Sequence, residues 1–575
     1  MTEVLNLQAL RGIVGNIDGE LYYAKGHTSA GDGGGGVFMW RTGNAFKTNQ
    51  TPPSTPPTSG IYSVDNYGTI IQAIIGGIPN DSGRWIRQYD GYISVVWFGA
   101  FGTFDTLPPE SSYNIRIQNA IDFAALNAKI NPILKSSTVF IPNGSYQLSN
   151  IILKSGVTIL GESIANTIIY ATQGTGYLFE MEIGVVQLNI LNLGIVGNGT
   201  NKGCFLFEAK PGIPTPIDPV ADGGLWNSTI KNIGIGGFNG NGVYLQGGIS
   251  IGQFAYLLPN QFNVFENVRV TKNNDDNFSL FANALKMTGE NGQHSFINCE
   301  FDGFTKTSNN ITTYDKWINV SIENTQSQPT PDYLTSNVIT FLNCTIQNSD
   351  YGVRINYAEN ITFDNCWFEN LGVAITVLGD KERSKSINIL NNRFANASGF
   401  GSLLAPNNIK AGQCVSVSKS VVNIYNNYIT ASDPNSADNI GSFVLGFPDN
   451  NGINCYNNSF RDNNPKLSKT YGIMQTVSIV ATAIDCKSNK LIFINPTNPV
   501  TPTIIKNITS AINAGEILNI RANGFTVTFN NTGNIFLSNR TSFVLANGEI
   551  ASFIKIDIGT NNETYQLLSF TKTTP

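Results

Sequence analysis

The chain has 575 residues, of which only 13% are charged, and its formal net charge is −5 at pH 7. Its 35 lysines and arginines form no basic block, which argues against nucleic-acid binding by phosphate neutralisation. The two histidines exclude a His-rich zinc site, and no apolar run approaches the ~18 residues of a membrane span. We therefore predict no cofactor, no nucleic acid and no membrane insertion. The 57 glycines, with abundant Asn, Ser and Thr, are typical of an all-β protein with many turns.

Residues 1–90 are predicted to form an N-terminal head or attachment domain. The run ELYYAKGHTSAGDGGGGVFMWR is typical of two strands joined by a glycine-rich turn. No helix with Gly-Lys-Ser/Thr follows the glycines, so the pattern favours a tight β-turn over a phosphate-binding loop. The opening MTEVLNLQALRGIVGN has no basic segment before an apolar core, and we predict no secretory signal there.

The best helix candidate spans residues 115–129. Its apolar side chains recur at helical spacing. They are Ile117, Ala120, Ile121, Ala124 and Ala125. We expect this helix to cover the open first coil of a solenoid, because an uncovered end would expose strand edges and apolar core.

A short phrase recurs along the middle of the chain, as in TFLNCTI around Asn343 and TFDNCWF around Asn365. An apolar residue stands two before the asparagine and another three after it, which is strand alternation interrupted by a turn. Residues 91–495 are therefore predicted to form a right-handed parallel β-helix with loops on its flanks. The asparagine is expected in the turn, hydrogen-bonded to its counterpart one coil away. The phrase also surrounds Asn192, Asn232, Asn267, Asn298, Asn391, Asn426, Asn457 and Ser488.

Two further features complete the organisation. Five cysteines lie next to or near the repeated residue, and they are expected to be buried fillers rather than disulfides or ligands. They are Cys299, Cys344, Cys366, Cys455 and Cys486. After a Pro-rich joint, residues 496–575 show short alternating runs separated by Gly and Asn. This pattern predicts a C-terminal β-sandwich that closes the helix and serves trimerisation or carbohydrate binding.

Several stretches resemble the entry region of phage tailspike depolymerases, which belong to the pectate-lyase-like right-handed β-helix superfamily. They are YYAKGHTSAGDGGGGVFMWR, GTIIQAIIG, GRWIRQYDG, ISVVWFGAFGT, IRIQNAIDFAALNAK and STVFIPNGSYQLSNIILKSGVTILGES. The resemblance implies a homotrimer in the phage virion that binds, and usually cuts, a bacterial surface polysaccharide outside the host cell. It also implies attachment to the tail, the baseplate or an adaptor protein. The turn after WFGA reads GTFDTLPPESSYN, which departs from the family pattern, so no catalytic role is assigned there.

The leading candidate site consists of side chains two and four residues after the repeated asparagine, where the strand is expected to face outward. Glu300, Asp302 and Glu369 are the candidate catalytic carboxylates, because glycosidic cleavage needs two carboxylates about 5 to 9.5 Å apart. Trp367 and Tyr428 offer flat faces to a sugar ring. Arg269 and Arg393 are suited to acidic sugars, because guanidinium groups bind carboxylates through paired donors. The competing interpretation is a solvated face whose cross-coil ion pairs contribute under about 1 kcal/mol.

A second cluster offers an alternative catalytic set: Glu290, Glu323 and Glu359 each precede an asparagine near a strand end. Lys286 and Arg354 are expected to face outward nearby and to suit an anionic chain. A repeated turn explains the same pattern without any chemistry.

Three functions stay open at this stage: endo-glycosidic hydrolysis as the leading hypothesis, polysaccharide elimination by a lyase, and receptor binding without catalysis.

Overall fold

The computed structural model divides by its contacts into two units, Met1–Phe304 with Asn319–Thr345, and Thr305–Ile318 with Ile346–Pro575. Each unit contains coils of a parallel β-helix, and the right-handed β-helix predicted from the sequence is confirmed. The described residues are 1–42, 65–102, 110–130, 137–172, 176–210, 223–248, 250–251, 254–255, 259–271, 283–303, 305–308, 311–314, 318–323, 336–378, 384–395, 413–417, 420–430, 441–442, 444–446, 453–456, 458–460, 467–468, 472–477, 483–485, 491–496, 503–509, 517–522, 526–537, 541–546, 549–557 and 563–571.

The first elements form a small sheet with its own core. Trp40 and Trp85 pack at the centre with ring centroids 5.0 Å apart, and Phe38 is fully buried beside them. The elements are β1 (Thr2–Val4), α1 (Leu7–Arg11), β2 (Leu21–Ala24), β3 (Gly36–Thr42), β4 (Ile70–Ile71), β5 (Ile74–Ile75), β6 (Ile78–Pro79) and β7 (Gly83–Gln88), and the sheet order is β1-β2-β3-β7-β4.

The glycine-rich segment between β2 and β3 is a turn organised by Asp32. The Asp32 carboxylate accepts hydrogen bonds from the backbone N–H groups of His27, Thr28, Ser29 and Gly34. These N–H groups are consequently not available to cradle a phosphate, which agrees with the β-turn predicted from the sequence.

Helix α2 spans Glu110–Ile130, after β8 (Ile93–Ser94) and a 3-10 turn at Val95–Phe98. It is fixed by side-chain amides to the backbone around β10 (Gly144–Leu148) and β11 (Ile151–Leu153). Asn114 accepts the N–H of Ser149 and donates to its hydroxyl. Gln118 accepts the N–H of Ile152 at 2.9 Å and donates to the carbonyl of the same residue at 3.0 Å. The apolar side of the helix is buried at Tyr113, Ile117, Ala120, Ile121 and Ala124.

The coils of the first unit stack in parallel register. Ile190 pairs with Ile230, and Ile230 pairs with Phe265. Phe265, Phe296 and Phe341 then stack inside, with successive centroids 4.7 and 4.8 Å apart. Besides β10 and β11, the strands up to residue 342 are β9 (Thr138–Ile141), β12 (Thr158–Gly161), β13 (Thr167–Ala171), β14 (Tyr177–Met181), β15 (Val185–Val186), β16 (Asn189–Val196), β17 (Gly203–Glu208), β18 (Leu225–Trp226), β19 (Thr229–Gly236), β20 (Asn241–Gln246), β21 (Ser250–Ile251), β22 (Phe254–Ala255), β23 (Asn260–Gln261), β24 (Val264–Thr271), β25 (Asn283–Thr288), β26 (Asn291–Ile297), β27 (Glu300–Asp302), β28 (Thr305–Ser308), β29 (Ile311–Tyr314), β30 (Ile318–Glu323) and β31 (Ser336–Leu342).

The second unit continues the same construction. Phe363 pairs with Ile389, and Ile389 pairs with Ile424. The strands are β32 (Thr345–Asn356), β33 (Ala358–Asp364), β34 (Trp367–Leu378), β35 (Ile387–Leu390), β36 (Arg393–Ala395), β37 (Gln413–Val417), β38 (Val422–Tyr425), β39 (Tyr428–Thr430), β40 (Gly441–Ser442), β41 (Val444–Gly446), β42 (Ile453–Tyr456), β43 (Ser459–Phe460), β44 (Leu467–Ser468), β45 (Gly472–Val477), β46 (Ala483–Asp485) and β47 (Leu491–Pro496).

The repeated asparagines occupy the corners of the coils. Their backbone is left-handed, with φ between 51° and 61°. Asn267 donates through its side chain to Asn232, and Asn232 donates to Asn192, each at 2.9 Å. The predicted turn is confirmed, and the predicted cross-coil hydrogen bond is confirmed for this run of three asparagines. Asn391 differs, because its side chain donates to Asp364 at 2.8 Å. The described members are Asn192, Asn232, Asn267, Asn298, Asn343, Asn365, Asn391 and Asn426; Asn457 and Ser488 lie outside the described residues.

The position after each corner asparagine points inward. Cys299, Cys344 and Cys366 are buried thiols there, and the Cys299 Sγ donates to the Phe265 carbonyl at 3.4 Å. Later coils place asparagine at the same position, where Asn392 donates to the Asn427 side chain at 3.1 Å. The cysteine side chains described at this position are therefore fillers, as the sequence predicted.

The last strands enclose a separate apolar core. Phe529 stacks on Phe543 at 5.0 Å and packs against Phe553 at 5.2 Å. Strands β48, β51 and β53 form one sheet, while β50, β54 and β55 pair in antiparallel fashion. Their bounds are β48 (Thr503–Ile505), β49 (Asn507–Thr509), β50 (Ile517–Ala522), β51 (Val527–Asn530), β52 (Ile535–Phe536), β53 (Ser542–Leu545), β54 (Ile550–Asp557) and β55 (Glu563–Thr571).

Candidate functional site

The strand that follows each corner asparagine turns alternate side chains outward, because its intervening residues fill the coil interior. On β27, Glu300 and Asp302 are partly exposed on either side of the buried Phe301. Residues two apart on a strand share a face, with Cα atoms about 6.5 to 7 Å apart. The two carboxylates therefore share one side of the strand.

Arg269 lies directly against Glu300. The strand register pairs Arg269 with Glu300 and Thr271 with Asp302. The Arg269 Nε lies 3.7 Å from a Glu300 carboxylate oxygen, with 61% of the arginine side chain and 33% of the glutamate side chain exposed. An exposed pair of this kind contributes under about 1 kcal/mol to stability, so a ligand can compete for either partner.

In the second unit, Trp367, Arg393 and Tyr428 form an outward ladder. The register pairs Trp367 with Arg393 and Arg393 with Tyr428. The Arg393 guanidinium carbon lies 4.2 Å from the Trp367 ring centroid and 5.8 Å from that of Tyr428. The sequence predicted free aromatic faces here, but the arginine covers one face of each ring. The rings are 36% and 39% exposed, respectively, so both keep contact with solvent.

Glu369 completes the outward groups of this strand. Its carboxylate accepts the indole N–H of Trp367 at 3.1 Å. Glu369 belongs to the second unit, whereas Glu300 and Asp302 belong to the first. The three predicted catalytic carboxylates thus consist of one pair on a single strand and a third group beside the aromatic ladder.

Glu290, from the alternative set, lies directly after the Gly289 turn that ends β25. Its Oε2 atom is buried and has no hydrogen-bond partner in the described part of the chain. Burial raises the pKa of Glu290 to about 7. A carboxyl group with this pKa is protonated in a large fraction of molecules at neutral pH, which is the property a general acid requires.

The other alternative residues occupy different surroundings. Glu359 is paired with Lys385, whose Nζ lies 3.1 Å from its carboxylate. Glu323 ends β30, and Arg354 lies partly buried on β32. Glu323 and Glu290 belong to the first unit and Glu359 to the second. Glu290 follows β25 and Glu323 ends β30, and these two strands pair with each other.

A tyrosine that the sequence analysis did not single out contacts Lys286. The register pairs Tyr244 with Lys286, and the Lys286 Nζ lies 5.3 Å from the tyrosine ring centroid. The Tyr244 hydroxyl lies 3.0 Å from the Thr288 hydroxyl, and burial raises the tyrosine pKa. The spacing of 42 residues between Tyr244 and Lys286 includes an inserted loop, so the sequence alone did not align the two.

Both histidines are unsuited to act as a general base at neutral pH. His294 is buried inside a coil, where burial lowers its pKa to about 3. Neither of its ring nitrogens has a partner within the described ranges. His27 lies in the head, and burial together with the charge of Arg116 lowers its pKa to about 4. A Ser-His hydrolytic triad is therefore disfavoured.

The described residues contain no group of three or more His, Cys, Asp or Glu side chains placed to hold a metal ion. They also contain no helix long and apolar enough to span a membrane.

No protein-family model and no curated protein matches the sequence. Solved structures do match. The tailspike gp42 of Acinetobacter phage vb_AbaP_AS12 superposes with a TM-score of 0.50 at 13% identity, over 100% of this chain and 94% of that one. The fold is that of a phage tailspike. The predicted resemblance is confirmed at the level of fold.

Two other tailspikes share less of the structure. Full-length tailspike protein 2 of the Escherichia coli O157:H7 bacteriophage gives a TM-score of 0.42 at 15% identity over 75% of this chain. The match spans about half of that tailspike's length, 51%. Tailspike gp49 of Acinetobacter baumannii bacteriophage Fri1, described as a capsular polysaccharide depolymerase, gives 0.43 at 14% identity over 81% of this chain and 76% of that one.

Proposed function

We propose that this protein is a bacteriophage tailspike depolymerase that binds a bacterial capsular polysaccharide or exopolysaccharide and cleaves it by endo-glycosidic hydrolysis. The observation that carries the proposal is the pair Glu300 and Asp302 on one outward strand face. Hydrolysis of a glycosidic bond needs one carboxyl group to protonate the leaving oxygen and another to activate water or attack carbon. Two carboxylates at this spacing can flank a bound sugar linkage.

The neighbours of the pair suggest a division of roles. Arg269 lies beside Glu300, and a cationic neighbour suits the carboxylate that works in its charged form. Asp302 then acts as the general acid. In the second unit, the partly exposed rings of Trp367 and Tyr428 support sugar binding, since such rings offer both apolar area and polar edges.

Elimination is the second candidate reaction, and the Lys286–Tyr244 contact favours it. A polysaccharide lyase removes a proton beside a uronic carboxylate and stabilises the resulting negative charge with a cation. Lys286 supplies such a cation next to a phenol. Glu290 follows on the same stretch of chain and is the alternative acid for hydrolysis.

The proposal also covers assembly and location. We propose a homotrimer carried on the virion tail, attached through the tail, the baseplate or an adaptor protein and acting at the host cell surface. The tailspike fold supports this part of the proposal.

The test is cleavage by single amide variants: Glu300→Gln, Asp302→Asn, Glu369→Gln and Glu290→Gln. Reducing ends and ultraviolet absorbance are followed on capsular material from a panel of bacterial strains. A hydrolase releases reducing ends without absorbance, and loss of a catalytic carboxylate lowers the rate by roughly a hundredfold or more. Light scattering checks that each variant keeps the trimeric mass.

Glu266→Gln is the matched control, because Glu266 is a partly exposed carboxylate on β24 that is paired with Lys231 at 2.9 Å. It should cleave like the unmodified protein. Full activity of both the Glu300 and Asp302 variants would refute the pair. A rise in ultraviolet absorbance would show that the reaction is elimination rather than hydrolysis. Binding of polysaccharide without any product would show a receptor-binding protein without catalytic activity.

A further inference from the structure

Arg393 lies between two aromatic residues on an exposed face. Its guanidinium carbon is 4.2 Å from the Trp367 centroid and 5.8 Å from the Tyr428 centroid. Rings on both faces of a planar guanidinium leave only its edge open to a ligand, and the N–H donors lie in that edge. The stacking also limits the rotation of a side chain that is otherwise among the most mobile.

The donors in this edge have no acceptor among the described side chains. Glu369, the carboxylate on the neighbouring strand, accepts the indole N–H of Trp367. Two residues further along the strand of Arg393 is Ala395, which is buried and carries no polar side-chain group. Arg269 holds the same strand position in the first unit, but its guanidinium lies 3.7 Å from Glu300.

A fixed guanidinium edge that meets no counter-ion among the described residues is complementary to a planar acceptor with two oxygens. A carboxylate fits this geometry because its oxygens match two parallel N–H donors, and such charge-assisted pairs are roughly twice as strong as neutral hydrogen bonds. We propose that Arg393 binds the carboxylate of an acidic sugar residue, so that the polymer taken by this face carries carboxylates along its length.

The neighbouring coil extends the same subsite. The register pairs Tyr428 with Ser459, whose short, exposed side chain leaves the far face of the tyrosine ring open among the described residues. A second sugar ring can stack there while the first presents its carboxylate to Arg393. The inference rests on the proposed polysaccharide binding and narrows it from polysaccharides in general to acidic ones.

The test compares two forms of a capsular polysaccharide that contains uronic acid. One form is native; in the other, carbodiimide activation and borohydride reduction convert each carboxylate to a primary alcohol and leave the glycosidic linkages intact. Equilibrium binding is measured for the unmodified protein, Arg393→Gln and Arg393→Lys. The unmodified protein should prefer the native form by about tenfold or more.

Arg393→Gln should abolish this preference, and Arg393→Lys should keep only part of it, because a point charge remains without the planar pair of donors. Lys231→Gln is the matched control: it removes the same charge from an existing ion pair with Glu266 and should keep the full preference. Because a variant can misfold, a further measurement uses the unmodified protein. Titration with free glucuronate should shift one arginine Nε–H resonance in NMR, and glucose should not.

The outcomes separate this inference from the function on which it rests. Equal binding of both forms by the unmodified protein overturns the inference and leaves polysaccharide binding standing. If Arg393→Gln still prefers the native polymer, the inference is also overturned, because another residue would then bind the carboxylate. Failure to bind any polymer of a broad capsular panel contradicts the proposed function and the inference together.

Discussion

Corner asparagines meet two requirements at once. The coil turns through a left-handed backbone conformation, which costs most L-residues about 1–2 kcal/mol but is tolerated by asparagine. The same side chain then donates to its counterpart in the preceding coil, as Asn267 does to Asn232 at 2.9 Å. Backbone conformation and coil stacking are thus fixed by one residue type.

Substitution of Asn267 separates these two contributions. Asn267→Ala should lower the free energy of unfolding by about 2 kcal/mol, since alanine loses the hydrogen bond and strains a φ of 51°. Asn267→Gly should cost less, because glycine accepts the positive φ and loses only the hydrogen bond. Denaturant unfolding measures both. If glycine were as damaging as alanine, the conformational argument would fail.

At the scale of elements, the repeating strands were predictable because apolar side chains that fill the coil alternate with polar ones along each strand. The second corner, five residues before every described corner asparagine except Asn426, was not. There the backbone is also left-handed, yet its residues include Phe262 and Val338, with φ of 58° and 54°. Aromatic and β-branched residues rarely adopt this conformation, so the stacking of neighbouring coils overrides the local preference.

Helix α2 depends on amide side chains as well as on its apolar face. In the double variant Asn114→Ala, Gln118→Ala, the backbone N–H groups of Ser149 and Ile152 lose their acceptors. We expect the free energy of unfolding to fall by about 1 kcal/mol for each N–H left without an acceptor. Hydrogen exchange at these two amides should become faster. Exchange followed by mass spectrometry tests this.

Ile115 provides the control for the helix. Its side chain is 56% exposed, so Ile115→Ala removes apolar atoms that are already largely in water. This variant should leave exchange at Ser149 and Ile152 unchanged. Equal acceleration in both variants would mean that the amide contacts do not hold the helix in place.

For the whole molecule, the sequence predicted the solenoid and the outward column of carboxylates, because both follow from a repeated phrase. It did not predict which arginine would be paired. Arg269 and Arg393 occupy equivalent positions, but one faces Glu300 and the other stacks on Trp367. That difference depends on side chains one coil away, which strand periodicity does not encode. The burial that raises the pKa of Glu290 is likewise a property of the folded chain.

Two groups of the first unit make overall stability depend on pH in opposite directions. The pKa of His294 falls from 6.5 in the unfolded chain to about 3 in the fold, so the unfolded state binds more protons between these values. Stability is then complete above pH 6.5 and decreases by up to about 1.4 kcal/mol per unit as the pH falls towards 3. The pKa of Glu290 rises from 4.5 to about 7, so its stabilising contribution is present below pH 4.5 and is lost as the pH rises through 7.

Two substitutions isolate these opposing slopes. His294 pairs in register with Ile339, so His294→Ile places the next coil's residue inside and should reduce the loss of stability between pH 6.5 and 3. Glu290→Gln should steepen the fall from pH 7 to 4.5, because the compensating protonation is gone. Its effect should be the smaller of the two, since Glu290 is only partly buried and solvent screens it. Denaturant midpoints measured across this pH range test both expectations. If the His294→Ile protein loses as much stability in acid as the parent, other groups cause the loss of stability at low pH.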